Sequence, residues 1–130
     1  MVSRWKEGWV CAAALAGSMA ALAAASANAA GDAAHGQQLY AVRCVACHSL
    51  DENRVGPKHR GVYGRQAGRA EHYEYSAALR RATIVWDDKT LDRWLADPEK
   101  LIPGQKMGYQ VPQAADREDL IAFLKRESSK

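Results

Sequence analysis

Apolar positions fall into one nearly unbroken run close to the start of the chain and several short helical groups after it. The run, Trp9 to Ala25, is Ala-rich and follows a polar start carrying Arg4 and Lys6, and Ala27-Asn28-Ala29 closes it with a small-x-small pattern. This predicts an export signal over residues 1–29, cut after Ala29. An uncleaved membrane anchor is the alternative, but an anchor normally needs about 20 predominantly apolar residues, and this run is shorter and mostly alanine.

Beyond the leader, Asp32 is placed to cap a helix through Ala33, Gly36, Leu39, Tyr40 and Val42. Gly36 and Tyr40 are four apart and share a face, and a glycine inside a helix suggests close approach by another helix. From Ser49 to Tyr75 periodicity is lost, and Gly56-Pro57, Gly61, Gly64 and Gly68 mark a long ordered loop. Ser76 predicts a short helix over Ala77 to Ala82, and Asp87 or Asp88 a second over Leu91, Trp94 and Leu95 that stops before Pro98. A last helix, Ala115 to Glu127, carries Leu120, Ile121, Phe123 and Leu124, with Asp116, Glu118 and Asp119 near its start and Lys125 and Arg126 near its end. The expectation is one all-α domain over residues 30–130.

Charge narrows the function classes. The chain carries a net charge of +3, and losing Arg4, Lys6 and Glu7 with the leader leaves about +2, too evenly mixed to argue for nucleic acid. Cys11 goes with the leader, so Cys44 and Cys47 are the remaining cysteines.

Those two cysteines stand in Arg43-Cys44-Val45-Ala46-Cys47-His48, two thiols at i, i+3 followed at once by an imidazole, the arrangement that attaches a c-type haem. One helical turn puts both thiols on one side, able to form thioethers to the two vinyl groups of one porphyrin, with His48 as proximal iron ligand. A thioredoxin-like pair would need a βαβ setting, and no apolar β-branched strand precedes Cys44. Structural zinc would need two close-spaced ligand pairs, and His35, His59 and His72 do not supply them. A haem also gives the long loop something to wrap. Met107, the methionine left after the leader is removed, lies between Pro103-Gly104 and Gly108 on a loop, and is the candidate second axial ligand.

From about Asp32 onward the chain resembles class I cytochrome c of the mitochondrial-like bacterial type. The resemblance is carried by Cys44-Val45-Ala46-Cys47-His48, Val55-Gly56-Pro57, Gly61-Val62-Tyr63-Gly64-Arg65, Ile102-Pro103-Gly104-Gln105-Lys106-Met107 and Arg117-Glu118-Asp119-Leu120-Ile121-Ala122-Phe123-Leu124-Lys125. It implies the class I fold, with first and last helices crossing near Gly36, Tyr40, Leu120 and Phe123, and short helices and long loops around one covalent haem c. It also implies that the Pro57 carbonyl accepts a hydrogen bond from His48 and that Arg65, Tyr75 and Trp86 face the haem propionates. Trp94, Gln105 and Leu79 depart from the family pattern, where tyrosine, threonine and asparagine are usual, and this bears on potential and on the Met107 bond.

The expected function is a periplasmic one-electron carrier, monomeric and without enzymatic activity, cycling one haem between Fe(III) and Fe(II). A haem enzyme or gas sensor would need an open iron position, and a dedicated subunit of a larger redox complex would share the carrier's chemistry. Redox protein partners would dock at the exposed haem edge, with Lys106 the candidate steering charge.

Overall fold

The computed structural model of the chain describes residues 30–130, so the expected signal peptide and its cut after Ala29 lie outside the described residues. Asp32 caps α1, Ala33–Arg43, by accepting from the backbone N–H groups of Ala34 (2.8 Å) and His35 (3.2 Å). Four further helices follow: α2 (Ala77–Arg81), α3 (Asp88–Ala96), α4 (Pro98–Leu101) and α5 (Ala114–Ser128). Among the described residues there is no sheet, only an isolated bridge between Gln66 and Val85.

The first and last helices cross at the face the glycine marked. A Cβ on Gly36 would lie 1.9 Å from the carbonyl oxygen of Asp119 and 2.9 Å from the Cβ of Phe123, so only glycine lets the two backbones meet. Tyr40, on the same face of α1, packs its ring 5.0 Å from that of Phe123. Leu120 and Phe123 are 1% and 3% exposed, and fully burying such side chains is worth about 1.5–3 kcal/mol each, so they dominate the crossing. Polar contacts at its margin fix the register: Asp119 accepts from the Asp32 N–H (2.6 Å) and pairs with His35 (2.7 Å), while Arg43 bonds Asp116 (2.8 Å). The bond to His35 holds the Asp119 carboxyl below its ordinary range.

Of the two aspartates offered as caps for α3, Asp87 does it, in a reciprocal box with Thr90. This helix ends at Ala96, before Pro98 as expected, but Pro98 then opens α4, which the sequence reading did not include. Proline is tolerated at the first helical position because its missing N–H would be unpaired there, and Asp97 caps this turn through Lys100 N–H (3.1 Å). α5 runs one residue further at each end than expected and lacks a side-chain cap at Gln113. Arg117 holds its entry instead, donating to the carbonyls of Val111 (3.0 Å) and Pro112 (2.9 Å) and to Asp92 on α3 (2.7 Å).

The loop between α1 and α2 is ordered by backbone bonds. Gly56 N–H donates to Cys47 O (2.8 Å), Gly64 N–H to Trp86 O (2.7 Å) and Trp86 N–H to Arg65 O (2.9 Å). Arg60 bonds Asp51 within the loop and Glu127 on α5 (3.2 Å), and the Glu127 carboxylate, 4% exposed, also receives Arg126 and Lys130. Three cations offset the cost of burying that one charge.

Gly36→Ala sets a helix-propensity gain of about 1 kcal/mol against the cost of forcing a methyl into the crossing, typically about 1–3 kcal/mol and more where backbone must move. The clash is with backbone, so the variant loses about 2 kcal/mol or more, read as a lower urea midpoint. An unchanged or raised midpoint would show that the helices do not meet at Gly36.

Candidate functional site

Cys44 ends α1, its N–H donating to Tyr40 O (2.9 Å), and the backbone makes one further turn, Cys47 N–H to Cys44 O (3.1 Å) and His48 N–H to Cys44 O (2.8 Å). The pair therefore sits on a helical turn, as its spacing required. Burial pushes the Cys44 thiol up to about 11, which is opposite to the lowered pKa of a reactive redox thiol. No disulfide joins the two cysteines, and among the described residues no cluster of His, Cys, Asp or Glu is placed to hold a bare metal ion.

His48 is aimed by its neighbours. Its Nδ1–H donates to the Pro57 carbonyl at 2.8 Å, and since a carbonyl can only accept, that bond leaves Nε2 with its lone pair free. Burial lowers the pKa of His48, with the Pro57 bond acting weakly the other way, so the ring is neutral at pH 7, as a ligand must be. Gly56 makes room for it: a Cβ there would stand 2.1 Å from His48 Cε1.

His48, Cys44 and Cys47 open onto a largely apolar cavity of about 500 Å³ that Met107 also lines. Met107 arrives on the loop after α4. Gly104 takes a left-handed φ of +86°, Glu99 accepts from Gly104 N–H (2.9 Å) and Gln105 Nε2 (3.2 Å), and Gln105 Oε1 accepts from Met107 N–H. Gln105, one of the departures from the family pattern, thus steadies the backbone of the methionine. Trp94, another, lines the cavity with its ring 5.3 Å from Trp86, and Leu79 is buried at the same wall.

Arg65, Tyr75 and Trp86 all reach the cavity. Arg65 donates from its Nη atoms to the carbonyls of Arg60 (3.2 Å) and Lys58 (3.1 Å), and its buried Nε has no partner among the described residues. Buried donors are normally paired, so this one suits an anionic group of a cofactor placed in the cavity. Tyr75 is fixed through its hydroxyl, which accepts from Ala70 N–H (3.1 Å), and Trp86 through its backbone bridge to Arg65. An apolar cavity of this size, two thiols on one turn, a neutral imidazole, a thioether and an unpaired guanidinium donor fit a covalently held haem. His59, weighed above only against zinc, also lies in the wall, its Nδ1 bonded to Tyr40 OH (3.1 Å). Nothing in its spacing marked it, because its neighbours come from α1 and the attachment turn.

The cytochrome c family model matches residues 33–127. The chain belongs to the cytochrome c family. It is 42% identical to cytochrome c of Gibberella zeae over 99 residues, covering 73% of this chain and 93% of that protein, and 40% identical to cytochrome c of Arabidopsis thaliana over 102 residues, covering 75% and 91%. The structure of cytochrome cH from Methylobacterium extorquens superposes with a TM-score of 0.71 at 43% identity, covering 74% of this chain and 99% of that one. The expected class I fold is therefore the observed one. Members bind one covalent haem c and carry electrons, and they are not enzymes; this removes the peroxidase reading.

Proposed function

We propose that the chain is an exported, periplasmic one-electron carrier in which Cys44 and Cys47 tether the haem and His48 and Met107 ligate its iron. The observation that carries this reading is that His48 and Met107, from distant parts of the chain, line one cavity with the two thiols. The haem iron, when bound, supplies the Fe(III)/Fe(II) couple. With His48 and Met107 both ligating the iron, no coordination site would remain for a substrate, and a His/Met pair would favour the higher potential of a carrier. Arg65, Tyr75 and Trp86 would hold the propionate side, and the Pro57 carbonyl fixes the His48 tautomer and raises its basicity. The Arg4 to Ala29 pattern supports export, and no helix among the described residues is long and apolar enough to cross a membrane.

Redox proteins would meet the carrier where the cavity reaches the surface. Lys106 is exposed, lines the cavity and neighbours Met107, which supports it as a steering charge toward an acidic partner.

Met107→Ala opens the sixth position, so the ferrous variant binds carbon monoxide and its reduction potential falls, while the wild type binds the gas poorly. Ready carbon monoxide binding by wild-type ferrous protein at neutral pH contradicts the saturated-iron reading.

Lys106→Glu slows electron transfer to an acidic partner by about three- to tenfold at low salt, a fraction of what whole-surface steering achieves, and leaves the potential nearly unchanged. Stopped-flow rates across a salt series measure this, and the gap closes as screening shortens toward about 8 Å at physiological ionic strength. Equal rates at low salt would place the docking face elsewhere.

A further inference from the structure

His59 belongs neither to the tether nor to the iron ligands, yet its ring is the one stacked on the proposed proximal ligand. Its ring stacks on that of His48 with centroids 4.0 Å apart and planes 21° from parallel. The ring is held from behind by Tyr40, whose hydroxyl shares the 3.1 Å hydrogen bond with Nδ1 and whose ring meets it edge-on at 5.7 Å. Tyr40 is 5% exposed and locked against Phe123 in the helix crossing, so it is a firm anchor. The His59 backbone is tied as well, its N–H donating to Ser49 O and its carbonyl accepting from Val62 N–H, both at 2.9 Å.

The ring plane of a histidine is not fixed by its own torsions, because rotation about the Cβ–Cγ bond has broad minima. For His48 the bond to Pro57 sets where Nδ1–H points, and the Gly56 backbone lies over the Cε1 side of the ring face, where a Cβ would stand 2.1 Å from Cε1, 2.5 Å from Nδ1 and 2.6 Å from Nε2. Neither contact lays a second flat ring against the imidazole. His59 does.

We propose that His59 is a positioning residue for the iron ligand: its ring, clamped by Tyr40, sets the rotation of the His48 imidazole plane and so the orientation in which that ring meets the haem. This rests on the reading of His48 as an axial ligand. A packing role alone would be met by any side chain of similar volume, whereas a stacking role requires a flat ring.

Proton NMR of the ferric holoprotein distinguishes these, since the hyperfine-shifted haem methyl resonances follow the orientation of the axial ligand planes. In His59→Leu the methyl pattern shifts well outside wild-type reproducibility, while His59→Phe, which keeps a stackable ring, stays close to wild type. Tyr40→Phe leaves His59 in place but frees its Nδ1, and shifts the pattern in the same sense as Leu by a smaller amount. This variant carries the test if His59→Leu does not fold. The proposal is overturned by an unmoved pattern in folded His59→Leu, by equal shifts in Leu and Phe, or by an unmoved pattern in Tyr40→Phe. A wild-type ferric protein without the low-spin signature of an axial histidine would instead overturn the ligand assignment itself.

Discussion

Much of the apolar core of this domain, Tyr40, Leu79, Trp86, Leu91, Leu95 and Leu120 among it, faces a cavity of about 500 Å³. Side chains facing such a space have packing partners on one side only, so a bound group has to supply the other. A covalently attached haem resolves this constraint by becoming the centre of the core. The rest of the architecture follows from the need to hold a flat, largely apolar group with short helices and a long loop. The domain described, residues 30–130, has little other apolar material to do so.

The parts of the structure that meet that need are linked mechanically. Gly36 allows α1 and α5 to touch, and the crossing buries Tyr40 against Phe123. α1 then delivers Cys44 at its last turn and His48 one turn later, so the packing of the helices sets where the tether lies. The loop returns to the attachment turn through Gly56 N–H to Cys47 O, which brings the Pro57 carbonyl onto His48, and continues to Arg65, held by its bridge to Trp86. On the methionine side, α4 supplies Glu99, which steadies Gly104 and Gln105 and through Gln105 the Met107 backbone. Each proposed ligand is thus positioned by groups that touch no iron.

Much of this was legible in local sequence because the relevant signals are local. Asp32 before a helical pattern, Ser76, the acidic start of the last helix and the Cys44 to His48 spacing each encode a feature within a few residues of themselves. Gly36 is legible in a weaker way, since a glycine that costs helix stability needs a partner helix. What was missed depends on tertiary geometry or on a residue with two opposite uses. Pro98 stops α3 and starts α4, and a reading that treats proline as a stop finds only the first. Glu127 reads as the end of a helix until Arg60 from the distant loop reaches it. His59 sits among scattered Arg and His residues, and only the folded loop lays it on His48. Gln105 reads as a mere departure until its side chain is seen to accept from Met107.

On the proposed reading, residues 30–130 fold around a haem held by Cys44 and Cys47. The most direct test of that reading is the mass of the acid-denatured protein purified after export, followed by mapping of its proteolytic peptides. The predicted result is one porphyrin retained through denaturation, on the peptide containing Cys44, Cys47 and His48. A bare polypeptide mass, or porphyrin on no peptide from that turn, would contradict it.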